Sequence, residues 1–161
     1  DVRVLGNSKT KSNYSKHDVA SAADCKIEDV IESGDENSAM QIMANGSSEM
    51  TKRLYKDKKI DGVIILGGTM GTDLALDICQ SLPMGFPKYV VSTVSFSPLI
   101  SPERLSPDIQ MILWAGGLYG LNSVCKSSLS QAGGAVLGAA RTTEITKNDR
   151  PVIGMTSLGS S

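Results

Sequence analysis

The residues that most restrict the fold run from Asp61 to Leu74, Asp-Gly-Val-Ile-Ile-Leu-Gly-Gly-Thr-Met-Gly-Thr-Asp-Leu. A continuous apolar, β-branched run ends abruptly in glycines at 67, 68 and 71. A helix-favouring stretch, Asp73 to Cys79, follows directly. The pattern reads as a buried parallel strand, a tight Gly-rich turn and a helix. Backbone N–H groups at such a helix start, together with the helix dipole, favour an anion such as a phosphate. Thr69 and Thr72 would add hydroxyl donors. The alternative is that the glycines serve only a tight turn and close strand–helix packing. The turn is not a Walker loop, because no Lys follows the last Gly, and its Gly-Gly-x-x-Gly spacing is not the dinucleotide fingerprint.

The rest of the chain sets limits on this reading. A length of 161 residues is enough for one sizeable core. The net charge of −1 gives no electrostatic case for nucleic acid, and 4% aromatic residues leave little for base stacking. No apolar run reaches membrane-spanning length and no signal peptide opens the chain. Cys25, Cys79 and Cys125 lie far apart without zinc spacing, which suits free thiols in a cytoplasmic protein. The ends suggest a piece of a larger protein. Asp1 opens within a strand-like Val2–Leu5, and a strand at 151–155 runs out where a helix should begin.

Taken in order, a strand is expected at 2–5, with Gly6-Asn7-Ser8 as its turn and a polar loop to Tyr14. Ser15 followed by Asp18 predicts an N-capped helix through Ala23, and a second short helix covers Ile27 to Ile31. Ser33-Gly34-Asp35 breaks the chain. A long helix then runs from about Glu36 to Lys58, roughly 35 Å. Ala39, Met43, Gly46, Met50 and Leu54 form its apolar stripe. Gly46 there costs about 1 kcal/mol of helix propensity against Ala, which close packing on the sheet or on a second subunit would offset.

Residues 81–87 connect to a strand at 88–94, buried on both faces. The Pro-containing stretch from Ser95 to Pro107 is a long loop, and 108–113 a further strand. Trp114 to Gly120 is a turn. The helix from about Leu121 to Arg141 is rich in Ala, Gly and Ser, suited to close packing on the sheet or to a subunit interface. Strands alternating with helices imply an α/β fold, a parallel sheet with helices on both faces. Ligands of such sheets bind beyond the carboxyl ends of the strands. Those ends fall at Gly6 and Asn7, Gly67 to Gly71, Ser92 and Thr93, and Trp114 to Gly117.

Leu66-Gly67-Gly68-Thr69-Met70-Gly71-Thr72, then Leu82-Pro83-Met84-Gly85-Phe86-Pro87-Lys88, then Val91-Ser92-Thr93-Val94 resemble the tomato mosaic virus resistance protein family. Gly34-Asp35, Gly120-Leu121-Asn122 and Ala132-Gly133-Gly134-Ala135 extend the likeness over roughly residues 1–141. The resemblance implies a two-domain, Rossmann-like, dimeric protein whose first domain is catalogued as ATP-binding. The family's opening strand and helix are missing here. Residues 1–141 would be the nucleotide-binding domain, 142–150 a linker and 151–161 the beginning of a second α/β domain. Carried over residue by residue, the nucleotide-associated positions are Gly67, Gly68, Thr69, Gly71 and Thr72, with Ser92 and Thr93 nearby. Met70 stands where a small residue is usual, and Ser95-Phe96-Ser97 and Trp114 to Gly117 also depart from the family pattern.

Other candidates are weaker. His17 reads as a solvent-exposed helix residue, and a single His makes no histidine metal site. Asp73 either binds Mg²⁺ or simply suits the first helical turn. Lys9 and Lys11 either reach a phosphate or sit in a solvated loop. One His and scattered Cys form no nucleophilic constellation. The residues point to a phosphate-type ligand at the Gly-rich turn, and the resemblance implies that it is a nucleotide, ATP with or without Mg²⁺, or another phosphorylated small molecule, bound by a homodimer; neither nucleic acid nor membrane is an expected partner. An oligomerisation or protein-interaction module with a purely structural Gly-rich turn is the alternative. So is one half of an enzyme acting on a phosphorylated metabolite. No reaction is assigned.

Overall fold

The computed structural model describes residues 1–114 and 120–144. Three helices come first: α1 (Lys16–Ala22), α2 (Ile27–Glu32) and α3 (Glu36–Lys56). Strand β1 (Val63–Gly67), helix α4 (Thr69–Ser81), strand β2 (Lys88–Ser92), a 3-10 turn (Pro102–Arg104), strand β3 (Ile109–Leu113) and helix α5 (Ser123–Thr142) follow. The sheet is parallel in the order β1-β2-β3, with Val63 opposite Lys88 and Lys88 opposite Ile109.

Neighbouring side chains of a strand point to opposite faces, and the core follows that rule. Val63, Ile65, Val90, Ile109 and Met111 pack with Ala75 and Cys79 of α4 on one face. Val91, Ile112 and Trp114 pack with Cys125, Leu129 and Ala132 of α5 on the other. The expected α/β architecture with helices on both faces is therefore present. A further layer covers α4, where Leu74 and Ile78 meet Val19, Ala20, Ile27, Val30, Ala39, Met43 and Ala44 of the first three helices.

Local chemistry explains the helix ends. The Ser15 hydroxyl accepts from the Asp18 N–H while the Asp18 carboxylate accepts from the Ser15 N–H, a reciprocal cap. Asp35 accepts from the Ser38 hydroxyl at 2.6 Å and from the N–H groups of Ser38 and Asn37, and these bonds hold its carboxyl below its ordinary value. The apolar stripe of α3 is buried at Ala39, Met43 and Gly46. A Cβ on Gly46 would stand 2.0 Å from the Val19 carbonyl oxygen. The partner that compensates for this glycine is thus the backbone of α1, neither the sheet nor a second subunit.

Four expectations are corrected. Residues 2–5 form no strand; Val4 instead packs against the helical core, and β1 pairs only with β2 among the described residues. Helix α4 begins at Thr69 rather than Asp73, so Gly71 and Thr72 lie inside its first turn. Strand β2 stops at Ser92, two residues early, because the Val94 N–H turns back onto the Ser92 hydroxyl. Helix α3 ends at Lys56, and the chain turns at Lys58 with φ of 55°. The expected second domain at 151–161, and the turn residues 115–119, lie outside the described residues.

At the foot of the sheet a buried ion pair holds two connections together. The Lys88 ammonium donates to Asp108 Oδ2 at 2.7 Å and to the Leu82 carbonyl at 3.2 Å, and Asp108 also accepts from the Gly85 N–H at 2.8 Å. Burial pushes the Asp108 carboxyl up, but Lys88, Ser106 and Gly85 together bring it below its ordinary value. Cys79, buried nearby, has its thiol pushed up to about 12 by burial, so it packs as an inert thiol.

Candidate functional site

The carboxyl end of β1 runs straight into α4. Gly67 makes this possible: a Cβ there would lie 2.5 Å from the Gly71 carbonyl carbon and 2.6 Å from its Cα. The strand end and the first helical turn touch backbone to backbone, which only glycine permits. Gly68 is the N-cap and supplies no side-chain bond. The first recorded backbone bond of the helix runs from the Thr72 N–H to the Gly68 carbonyl, 2.8 Å. The N–H groups of Thr69, Met70 and Gly71 precede that bond and are the orphan donors of an uncapped helix start. Gly71 is less constrained than Gly67, since a Cβ on it would meet only the Leu66 carbonyl oxygen, at 3.7 Å.

The hydroxyls of Thr72 and Ser92 meet in the interior, both residues being essentially buried. Thr72 Oγ1 donates to the Gly68 carbonyl at 2.7 Å, and the Val94 N–H donates to Ser92 Oγ at 3.0 Å. Each hydroxyl has one proton, so Ser92 is the donor between the two. A relay therefore runs from Val94 through Ser92 and Thr72 to Gly68, and its hydroxyl protons are spent inside the protein. Thr93 is half-buried, with its N–H donating to the Gly67 carbonyl at 3.3 Å. The structure thus gathers all seven sequence-selected residues at the β1 and β2 carboxyl ends. Thr69 is exposed there, whereas Thr72 and Ser92 hold the turn's shape.

A cavity of about 520 Å³ opens beside this turn, lined by Thr69, Met70 and Asp73 of α4 and by Val94, Leu99 and Arg104 of the β2–β3 connection. Sequence reasoning missed Arg104. Its guanidinium donates to Asp73 Oδ1 at 2.8 Å, to the Asp73 carbonyl at 3.0 Å and to Asp77 Oδ1 at 2.8 Å. That clamp ties the long connection to α4 and accounts for Asp73 as an ion-pair partner. Burial pushes the Asp77 carboxyl up against the pull of Arg104. The only available signal was a lone Arg in a Pro-rich loop, whose partners lie 27 and 31 positions away.

The remaining candidates are peripheral. Lys9 and Lys11 are exposed. His17 is exposed and stands 4.0 Å from Glu28. Among the described residues no three His, Cys, Asp or Glu converge as metal ligands, and no helix is long and apolar enough to cross a membrane.

Fold and site together define a class: a Rossmann-like α/β domain with a Gly-rich turn and an uncapped helix start at the carboxyl ends of its strands. A model described as the N-terminal domain of the uncharacterised protein family UPF0261 matches residues 1–145, and the chain belongs to that family. It is 56% identical over its full length to a UPF0261 protein of Brucella suis biovar 1 (strain 1330), covering 38% of that protein. It is 36% identical over 160 residues to a UPF0261 protein of Clostridium tetani (strain Massachusetts / E88), covering 99% of this chain and 39% of the relative. Over 100 residues, 62% of this chain, it is 34% identical to the ToMV resistance protein Tm-1(GCR237) of Solanum lycopersicum, covering 13% of that protein. The resemblance to the tomato mosaic virus resistance proteins is therefore real, and the chain spans well under half the length of these relatives.

Proposed function

We propose that this domain binds a nucleotide, with ATP as the first ligand to test, through phosphate held at the start of α4. The observation that carries the reading is the uncapped α4 N-terminus, where the N–H groups of Thr69, Met70 and Gly71 precede the first helical bond and where Thr69 and Met70 line a cavity of about 520 Å³. Unpaired N–H groups and the positive end of the dipole favour phosphate oxygens there. Gly67 lets the turn close, Gly68 and Thr69 frame it, and Thr72, Ser92 and Thr93 keep it rigid. Because Asp73 is paired with Arg104, Mg²⁺ would arrive on the phosphates rather than on that carboxylate. The cytoplasm, where the three cysteines stay reduced, is the compartment this reading fits. Whether the whole protein goes on to react with the nucleotide depends on the part of the relatives that this chain does not span.

Calorimetric titration with ATP and Mg²⁺ tests the proposal, with Gly71→Val as the diagnostic variant. A Cβ at 71 would meet only the Leu66 carbonyl oxygen, at 3.7 Å, so the fold tolerates the change, while the branched side chain adds bulk at the proposed phosphate site. Saturable binding to the wild-type chain and its loss in the variant is the expected result. Equal affinity in the two would sink the cradle.

A homodimer interface is a second reading with its own observation. Added Cβ atoms at Gly133, Gly134 and Gly138 of α5 would meet nothing within 4 Å, and Val124 and Leu137 of the same helix are exposed. Cys125, Leu129 and Ala132 serve the sheet, so the Gly-rich positions remain for a partner. Sedimentation equilibrium of wild-type and Gly134→Arg chains separates the cases, a dimer that dissociates in the variant favouring this reading.

A further inference from the structure

A second cavity, about 670 Å³, shares Met70 with the first. Its walls are chiefly apolar: Leu5 from the opening segment, Val30 and Ile31 from α2, Ala39 and Met40 from α3, and Met70 from the first turn of α4. It reaches the first turn of α4 through Met70, which also lines the cavity beside the Gly-rich turn, so the two spaces meet at the start of that helix.

We infer that this cavity receives the nucleoside half of the nucleotide whose phosphates lie at the α4 N-terminus, an assignment that rests on the nucleotide reading above. Its volume falls within the ~300–1000 Å³ of ordinary small-molecule sites, which pair apolar walls with a few polar groups. The polar groups are on its rim, where Glu36 is exposed at the first turn of α3. A carboxylate there is suited to accept hydrogen bonds from the two ribose hydroxyls, while the base lies against Val30, Ile31 and Met40. Met70, which borders both cavities, becomes the hinge-point of the ligand: its N–H faces phosphate and its side chain faces the base. A methionine in this position is therefore a specificity residue, its flexible thioether adapting to a planar ring.

The test titrates the 161-residue chain with ATP, with tripolyphosphate and with adenosine, and repeats each titration on Leu5→Asp and Ile31→Asp. Both side chains are exposed, at 70% and 44%, so far-UV circular dichroism should match wild type. Each variant is expected to weaken ATP at least tenfold and to leave tripolyphosphate unchanged, which also excludes simple charge repulsion as the cause. Unchanged ATP affinity in both variants, with tripolyphosphate still bound, overturns the cavity assignment and leaves the phosphate cradle standing. Adenosine binding that the variants abolish, without any tripolyphosphate binding, supports the cavity and refutes the cradle. Failure of all three ligands to bind the wild-type chain overturns both.

Discussion

Replacing Asp108 with Ala strips the Lys88 ammonium of its charged partner and leaves it one acceptor, the Leu82 carbonyl. Lys88 is 1% exposed and Asp108 14%. Breaking a buried pair by removing one partner costs about 3–5 kcal/mol, because the surviving charge stays buried. The residual exposure of Asp108 lets water approach, which places the expected loss at the low end, about 3 kcal/mol. For a chain of this size that lowers Tm by about 6–12 °C, readable by thermal melts and urea titration. Replacing both partners, Lys88→Met with Asp108→Leu, should recover most of the loss, since no orphan charge remains. The pH dependence has a definite sign. The folded Asp108 value is depressed below the ordinary one, so its contribution is complete above about pH 4 and is lost as pH falls further, through the folded value. The single variant should lack that acid-side slope. A loss under about 1 kcal/mol, the size of an exposed pair, with the slope unchanged, would refute the claim that this pair is desolvated.

Three further outcomes follow from the packing. Gly46→Ala should destabilise by about 1–3 kcal/mol despite better helix propensity, because the new methyl would overlap the Val19 carbonyl at 2.0 Å and force α1 off α3; a higher Tm would contradict that contact. Gly67→Ala should cost a similar amount through its 2.5 Å approach to Gly71, whereas Gly71→Ala should be near neutral, a contrast that denaturant titration of the two variants decides. Ser92→Ala should cost about 1 kcal/mol by leaving the part-buried Val94 N–H without its hydroxyl acceptor; an unchanged urea midpoint would mean that the hydroxyl relay carries no stability.

Elements with a strong local signal were legible in the sequence. The continuous apolar run from Val63 to Leu66 announced a strand, although the expectation of a buried one does not hold, since Val63 and Ile65 pack while Ile64 and Leu66 are exposed. The stripe of Ala39, Met43 and Gly46 announced a helix because its burial repeats with the helical period. The Ser15–Asp18 cap was readable because its partners are three residues apart. Residues 2–5 carried a strand-like composition, yet a strand is defined by its neighbour, and composition does not supply a ladder partner. The start of α4 was misplaced because Gly68 to Thr72 looked like a loop by propensity, while contact with β1 overrides that preference. The site's position at the strand ends followed from alternation of strands and helices. Its side-chain detail did not. The pairing of Thr72 with Ser92, of Lys88 with Asp108 and of Arg104 with Asp73 and Asp77 joins residues 20 to 31 positions apart, and depends on register rather than on any local pattern.

The side of β1 away from β2, unpaired among the described residues, bears on how this protein behaves in the laboratory. Along Val63–Gly67 one row of main-chain donors and acceptors has no ladder partner among the described residues, and Ile64 and Leu66 stand 36% and 51% exposed beside it. Open, apolar strand margins recruit further strands and seed aggregates. Concentrated samples of these 161 residues should therefore self-associate through that margin, and a lysine at position 64 is the natural gatekeeper. Association that Ile64→Lys abolishes reflects recruitment of strands, and association that survives it belongs to α5.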